Sequence, residues 1–343
     1  MQFLSSFQTL NRERTVYPVG KDNDKLAIHS FIHANYSTNV KEYLFDAAFR
    51  TGKKLIRFDF PITIIKREEE KFSWEMIDEN VDMADKKNLE IVGTLGYSAP
   101  WISADNATKN FQGPIDQAKY EQYADYVRQT VRRYPQIKYW ELWNEPNNKA
   151  LYDTNPSEFA GLMRIMYQAV KEANSNAEVL FPGVIFNTQK DFEWVKAVLT
   201  DSKNPGKSNY DIANIHIRGD IKNITNDTKI ALEGFNQFGK KDAPLWITEF
   251  GYPADPKYQY EEKYRGQDKE SGEKAQAQFY EEVIPLLLSM GIDKIFVTLR
   301  DIESEDKLCL VVGSPFCSEG LVTFSKIRAT GTDRPAMKVF QDF

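Results

Sequence analysis

The stretch Tyr139–Asn147, YWELWNEPN, is a short aromatic and apolar run that ends in a polar turn carrying Glu145. Such a run favours a buried strand. A second stretch, Pro244–Tyr252 (PLWITEFGY), has the same design and carries Glu249 directly after its apolar run. Each stretch therefore predicts a buried strand that delivers one carboxylate at its carboxyl end.

Outward from these two stretches, strand and helix patterns alternate along the chain. Runs rich in β-branched or aromatic residues predict strands at Leu26–His33, Lys54–Phe60, Leu89–Leu95, Ile137–Leu142, Glu178–Pro182, Ile212–His216, Leu245–Glu249 and Lys294–Leu299. Amphipathic segments predict helices at Val40–Thr51, Glu75–Lys87, Gln117–Arg133, Ser157–Asn174, Lys190–Thr200, Thr228–Phe238, Ser271–Met290 and Arg334–Phe343. This alternation indicates parallel βαβ units, and eight such units close a (β/α)8 barrel.

We therefore predict an α/β fold, a (β/α)8 TIM barrel, in which residues 1–343 form a single domain with a core from about residue 26 to residue 343. The rival is an open doubly wound sheet, which places a Gly-rich phosphate turn after its first strand. The nearest such sequence, Tyr17–Gly20, precedes that strand, and no Ser-, Gly- or Pro-rich linker divides the chain. In a barrel the functional residues lie at the carboxyl ends of the strands.

Composition excludes several classes of protein. The chain has 343 residues, of which 41% are hydrophobic and 27% charged, as is ordinary for a folded protein. Its formal net charge is −6 and its basic residues are scattered, so we expect no nucleic-acid partner. The apolar runs are shorter than the ~20 residues of a membrane helix, so we expect no membrane span. We also expect a monomer.

Metal and redox signals are weak in this sequence. Cys309 and Cys317 are the only cysteines and form no zinc pattern, while a disulfide and two free thiols stay equally open. His29 and His33 share a face of the predicted first strand but lack a third ligand, so we expect no metal and no other cofactor. The start, Met1–Phe7, lacks the features of a signal peptide. Localisation stays open, and an extracellular or cell-envelope location is favoured if the chain is a piece of a longer protein.

Glu145 and Glu249 are the pair of carboxylates that glycosidic bond cleavage needs. The fourth and seventh strands lie on opposite sides of an eight-stranded ring, so the two side chains can face each other. One carboxyl protonates the leaving oxygen while the other, ionised, attacks or stabilises the anomeric carbon. A separation of about 5–5.5 Å retains the anomeric configuration and about 6.5–9.5 Å inverts it, a distance that the sequence leaves open.

Asn-Glu-Pro after the fourth strand and Thr-Glu-Phe-Gly after the seventh resemble the signatures of the clan of retaining glycoside hydrolases on (β/α)8 barrels. The segment Trp140–Asn147 most resembles glycoside hydrolase family 39 and its exopolysaccharide-degrading relatives, with family 5 next. The resemblance runs from about residue 26 to residue 335. It implies that Glu145 is the acid/base, that Glu249 is the nucleophile and that Asn144 hydrogen-bonds the sugar 2-hydroxyl.

Further positions agree with the resemblance in part. Arg57 ends the second strand, where the clan carries an arginine that keeps the nucleophile ionised. His216 ends the sixth strand, where relatives often have a histidine. Trp101, after the third strand, is similar to the aromatic residue that lines the sugar groove. His33, at the end of the predicted first strand, is a further candidate for substrate contact.

Two departures separate this chain from its relatives. They usually read His-x-Tyr after the sixth strand, and that tyrosine touches the nucleophile. Here the third residue is Arg218, so either Arg218 or Tyr252 takes the role, and an extra arginine would suit an acidic or substituted sugar. The predicted eighth strand also lacks the tryptophan platform of the relatives, which weakens the case for a plain glucan or xylan.

The sequence therefore predicts a retaining, endo-acting hydrolase of β-linkages in a polysaccharide or oligosaccharide. Glu145 and Glu249 would perform a double displacement without metal or nucleotide. A transglycosylase would use the same residues, and a carbohydrate-binding barrel that has lost its activity is the alternative from another class.

Overall fold

The computed structural model describes residues 24–104, 113–148, 152, 154–302, 309 and 314–343. The interpretations given above for Met1–Phe7 and Tyr17–Gly20 lie outside these residues. Among the described helices, none is long and apolar enough to cross a membrane. Cys309 and Cys317 are joined by a disulfide, which resolves the alternative that the sequence left open.

Parallel strands form one curved sheet. In the described part of the chain they are β1 (Leu26–His29), β2 (Leu55–Pro61), β3 (Glu90–Gly96), β4 (Tyr139–Leu142), β5 (Glu178–Leu180), β6 (Val184–Ile185), β7 (Ala213–Ile217), β8 (Leu245–Phe250) and β9 (Lys294–Thr298). Their spatial order is β5-β4-β3-β2-β1-β9-β8-β7-β6. Sequential neighbours pair, and β1 pairs with β9, as in a barrel.

The ring closes between the two ends of this order. The predicted fifth strand is split into β5, which pairs with β4, and β6, which pairs with β7. A bridge between Leu180 and Ile212, with a hydrogen bond from the Phe181 N–H to the Ile212 carbonyl, joins the two halves. β5 and β6 thus occupy one of eight positions, and the structure is the TIM-barrel-like α/β fold that the sequence predicts.

Helices follow the strands and cover the outside of the barrel. They are α1 (Thr38–Arg50), α2 (Ile62–Ile65), α3 (Glu75–Lys86), α4 (Tyr120–Arg133), α5 (Pro156–Ala173), α6 (Gln189–Leu199), α7 (Ile221–Phe238), α8 (Lys269–Met290) and α9 (Pro335–Asp342). The prediction for α7 began at Thr228, whereas the helix begins at Ile221. The reason is the side chain of Asp220, which accepts a hydrogen bond from the Asn223 N–H and caps the helix there.

The barrel interior has an apolar floor at the amino ends of the strands. The floor side chains are buried and pack together: Ala27, Leu55, Val92, Leu180, Ile212, Trp246 and Phe296. Side chains two residues apart on a strand share a face. The next inward residue on six strands is polar: His29, Arg57, Thr94, Asn214, Thr248 and Thr298. The alternation of the strands therefore stacks a polar layer on the floor, toward the carboxyl ends.

Candidate active site

Arg57 and Glu141 form a buried ion pair at the centre of the polar layer. Arg57 Nε lies 2.5 Å from one oxygen of Glu141, and Nη2 lies 3.0 Å from the other. Nη2 also donates to the side-chain oxygen of Asn144 at 2.8 Å, and Nη1 lies 2.9 Å from His29 Nδ1. Arg57 is beside Glu249 as expected, since Nη1 lies 3.7 Å from a Glu249 oxygen, although its closest carboxylate is Glu141.

Glu249 is surrounded by nitrogen atoms. One of its oxygens accepts a hydrogen bond from Arg218 Nη2 at 2.7 Å. The other lies 3.2 Å from His29 Nε2 and 3.7 Å from His216 Nδ1. Burial alone would raise the pKa of the Glu249 carboxyl, but these nitrogens and the Arg57 guanidinium hold it well below its ordinary value. Glu249 is therefore ionised at neutral pH.

Arg218 is held between two carboxylates. Its Nε lies 3.0 Å and 3.1 Å from the two oxygens of Glu319, while Nη2 binds Glu249. Glu319 is fully buried, and burial raises its pKa while the Arg218 charge lowers it. Because two anions share the Arg218 cation, this arginine contacts the predicted nucleophile in the position that tyrosine takes in the family resemblance.

Glu145 lies in a turn of unusual backbone conformation just after β4. Trp143 has φ 78° and Glu145 has φ 49°, in the left-handed region that costs energy for residues other than glycine. Hydrogen bonds hold the turn: the Trp143 N–H donates to the Leu95 carbonyl and the Glu145 N–H to the Gly183 carbonyl. The turn aims the Glu145 side chain over the barrel mouth, where Oε1 lies 3.0 Å from His216 Nδ1.

Gly183 explains why the fifth barrel strand is split. A Cβ atom at this position would lie 2.2 Å from His216 Nε2 and 2.4 Å from a Glu141 oxygen. Only glycine fits there, so the chain approaches the polar layer closely between β5 and β6. Because Gly183 has no side chain, there is room for His216, which faces Glu145, and for Glu141, which pairs with Arg57.

The two candidate carboxylates face each other across the mouth. An oxygen of Glu145, an oxygen of Glu249 and a nitrogen of His216 all lie within 4.8 Å of one another. The three atoms are close enough to contact one cation. Two carboxylates this close together are equally the geometry of a catalytic pair, and we assign no metal to this cluster.

A small cavity opens beside Glu249. It is lined by His29, Phe31, Ile32, His33, Arg57, Phe58, Asp59, Tyr97, Asn144 and Glu249. Tyr97 donates a hydrogen bond to Asp59 at 3.0 Å, and burial raises the pKa of this aspartate. The cavity brings Asn144 and His33 to the same space as Glu249.

The end of β1 corrects the expectation for the two histidines. β1 ends at His29, and Phe31 has φ 51°, so the chain turns before His33 and the two side chains share no strand face. His29 is buried beside Glu249, whereas His33 is exposed at the cavity rim.

Two predicted residues lie elsewhere. Trp101 does not line the cavity; its indole N–H donates to the Lys66 carbonyl at 3.0 Å. The Tyr252 ring stacks on Phe279 and its hydroxyl accepts from the Glu261 N–H, so it is Arg218 that contacts Glu249.

Sequence reasoning missed the contributions of Asp59 and Glu319. Asp59 follows Arg57 by two residues on β2, so strand alternation could have placed both on one face. Glu319 lies in the loop after β9, more than a hundred residues beyond Arg218, and no local pattern announces that contact. Glu141, interpreted from the sequence as structural, is the buried partner of Arg57.

Solved structures share this architecture. The chain is similar to a family 39 glycoside hydrolase of Bacteroides cellulosilyticus, with a TM-score of 0.66, 16% identity and coverage of 93% of this chain but 62% of that one. For a monomeric β-xylosidase of Caulobacter crescentus the TM-score is 0.68, with 16% identity over 93% and 67% of the two chains. For a Thermotoga petrophila xylanase in complex with xylobiose it is 0.63, with 14% identity over 93% of both chains.

At these identities the likeness concerns the fold, and the chain spans less than two thirds of the length of the family 39 enzyme. No curated protein matches the sequence. The glycosyl hydrolase catalytic core family matches residues 65–297, which is most of the chain and includes both candidate carboxylates. The chain therefore belongs to the glycosyl hydrolase catalytic core family.

Proposed function

We propose that the chain is a glycoside hydrolase that cleaves β-linkages of a polysaccharide or oligosaccharide by double displacement, with retention of configuration. The observation that carries the proposal is the short distance between Glu145 and Glu249, whose nearest oxygens lie within 4.8 Å. This spacing suits the ~5–5.5 Å of a retaining pair and is too short for the water that an inverting pair holds.

Glu249 is the proposed nucleophile. It is ionised and lies on the cavity wall, so its carboxylate can attack the anomeric carbon of a sugar bound there. As the new bond forms, the glycosidic C–O bond breaks and its electron pair goes to the leaving oxygen. The arginine and histidine nitrogens around Glu249 orient the carboxylate and favour its charged form.

Glu145 is the proposed acid/base. It donates its proton to the leaving oxygen in the first step and takes a proton from water in the second. That water attacks the anomeric carbon, and Glu249 leaves as a carboxylate. The side chain of Glu145 is 13% exposed, so it can meet both the leaving group and solvent.

Substrate contacts are proposed for the residues of the cavity wall. Asn144 accepts from Arg57 through its oxygen, so its amide N–H groups can donate to a sugar hydroxyl near the nucleophile. Asp59 and Tyr97 supply further polar groups, and His33 lies at the rim. Arg218 is engaged by two carboxylates, which supports a role at the nucleophile more than on an anionic substrate.

The remaining features of the proposal concern organisation. We propose that the barrel is one catalytic domain that works as a monomer, as the name of the monomeric β-xylosidase neighbour suggests for that protein. Endo action is proposed from the length of the segments that follow β3, β8 and β9 in the sequence, since long loops after barrel strands tend to shape a cleft. Product size tests it, since an endo enzyme releases mixed oligosaccharides early and an exo enzyme releases one small product.

The proposal is tested by reducing-end release from β-glucans, mannans, xylans, galactans and acidic exopolysaccharides. Wild type is compared with Glu249→Gln and with Glu193→Gln, a control on the exposed face of α6. We expect release by wild type and the control on at least one polymer, and none by Glu249→Gln. Activity that survives in Glu249→Gln would reject the nucleophile, and sugar-dependent thermal stabilisation without turnover would favour a binding barrel.

A further inference from the structure

His216 ends a buried chain of hydrogen bonds that begins at Glu141. Asn214 Nδ2 donates to Glu141 Oε1 at 3.0 Å, and Thr248 Oγ1 lies 2.8 Å from Asn214 Oδ1. His216 Nε2 lies 3.1 Å from Thr248 Oγ1, and His216 Nδ1 lies 3.0 Å from Glu145 Oε1. The first four of these residues are at most 1% exposed.

The direction of each hydrogen bond in this chain follows from the amide of Asn214. Its nitrogen faces two acceptors, a Glu141 oxygen and the Phe181 carbonyl, so the other amide atom is the oxygen. An amide oxygen only accepts, so the Thr248 hydroxyl donates to it. The lone pairs of that hydroxyl then accept from His216, which places a proton on Nε2.

The position of this proton decides what Nδ1 can do. A neutral imidazole carries one proton, and with that proton on Nε2 the Nδ1 atom is an acceptor. The 3.0 Å contact between Nδ1 and Glu145 then requires a proton on the carboxyl. An imidazolium that donates to an ionised Glu145 would also satisfy the contact, and the ¹⁵N resonances of the ring distinguish the two states.

We propose that Glu141, Asn214 and Thr248 hold His216 as the neutral Nε2–H tautomer, and that this tautomer keeps the shared proton on Glu145, so that Glu145 rests in its acid form. The inference rests on the proposed function of Glu145 as acid/base. Thr248 and Asn214 act through His216 and are positioning residues. They ensure that the carboxyl next to the leaving group, and not the imidazole, carries the proton.

Charged groups from several elements face the imidazole. The groups are His29 from β1, Glu141 and Glu145 from β4 and its turn, and Glu249 from β8. The alternative state, an imidazolium that donates Nδ1–H to an ionised Glu145, has the same number of protons. It differs only in which group holds the proton.

The ¹⁵N resonances of the histidine rings distinguish the two states without any substrate. The chain has 3 histidines, so protein labelled with [¹⁵N]histidine gives few ring signals, and those lost in His216→Asn identify the ring. At pH 6–7 we expect a protonated Nε2 and an unprotonated Nδ1. A proton on Nδ1 in the wild-type protein, as imidazolium or as the other tautomer, would overturn the proposal.

Thr248 offers a matched pair of variants. Thr248→Ser keeps the hydroxyl and should keep the tautomer, whereas Thr248→Val has almost the same shape but cannot accept from Nε2–H. In Thr248→Val we expect a proton on Nδ1, which then donates to an ionised Glu145. An unchanged His216 ring in Thr248→Val would show that the chain of hydrogen bonds does not set the tautomer, and the proposal would fail even if Glu145 is the acid/base.

The kinetic consequence is a shift of the basic limb of the pH profile. On the polymer that wild type cleaves best, Thr248→Val should move the basic limb of kcat/KM down by about one pH unit, since Nδ1–H stabilises the Glu145 carboxylate. Thr248→Ser should not move it. A Thr248→Val profile with lowered amplitude but an unmoved basic limb would indicate a merely structural role. If wild type cleaves nothing, the NMR result still decides the tautomer.

Discussion

Replacing Arg57 with methionine should lower the free energy of unfolding by about 3–5 kcal/mol, because it leaves a buried carboxylate without its cation. Arg57 is 1% exposed and Glu141 is fully buried, and two hydrogen bonds of 2.5 Å and 3.0 Å join them. Methionine fills a similar volume with no charge. The desolvation cost of the Glu141 carboxylate then falls on the folded state.

Other donors reduce this cost. Glu141 still accepts hydrogen bonds from Thr94 at 3.0 Å and from Asn214 at 3.0 Å. We therefore expect a loss near the lower limit, about 3 kcal/mol. Glu141→Leu added to Arg57→Met removes the unpaired carboxylate as well, and the double variant should be more stable than Arg57→Met alone.

Urea unfolding at pH 7, followed by far-ultraviolet circular dichroism and tryptophan fluorescence, measures these differences. Arg133→Met is the matched control because Arg133 also pairs with a carboxylate, Asp78, but its side chain is 40% exposed. We expect the control to lose at most about 1 kcal/mol. An Arg57→Met variant no less stable than Arg133→Met would refute the reasoning that burial determines how much an ion pair contributes to the free energy of unfolding.

Three further predictions concern the two carboxylates and the cavity. Glu145→Gln should lose about 100-fold in kcat on polysaccharide, and azide should restore turnover of a dinitrophenyl glycoside as the β-glycosyl azide; an α-azide or no rescue would argue against this acid/base. Because the pKa of Glu249 is lowered in the folded state, its ionised form contributes stability above about pH 4.3 that is lost as the pH falls. In thermal unfolding at pH 6 and pH 3, the melting temperature of wild type should therefore approach that of Glu249→Gln at pH 3. A difference in melting temperature that widens at pH 3 would contradict the assignment. Tyr97→Phe should lower kcat/KM about tenfold because Asp59 loses its hydrogen bond. Trp101→Phe should change kcat/KM less than about twofold. A larger loss of kcat/KM in Trp101→Phe than in Tyr97→Phe would indicate that Trp101 contacts the sugar after all.

The strand pattern predicted much of this fold because side-chain alternation and strand ends obey short-range rules. Glu145 lies three residues after the end of β4 and Glu249 lies near the end of β8, so their place at the mouth follows from the barrel itself. The split between β5 and β6 did not follow, since it depends on the room that Gly183 leaves for His216 and Glu141 across the barrel.

Long-range pairing limited the prediction of the site. The family resemblance placed Arg57 beside Glu249, and the ion pair is present at 3.7 Å, but the closer bidentate pairing of Arg57 with Glu141 was not predicted. Arg218 was expected to take the role of the tyrosine at the nucleophile or to suit an acidic sugar; its contact with Glu249 is present, whereas its pairing with Glu319 in a distant loop was not predicted. Such choices among several partners depend on distances that only the folded chain sets.

The central claim, that Glu249 forms a covalent bond with the sugar, is tested most directly by mass spectrometry of Glu145→Gln. A dinitrophenyl β-glycoside of the sugar that the polymer panel identifies has a good leaving group, so the first step proceeds without an acid and the second step is slow. Peptide mapping should then find one glycosyl unit on the peptide that contains Glu249. A glycosyl unit on another residue, or turnover with inverted configuration and no adduct, would contradict the account.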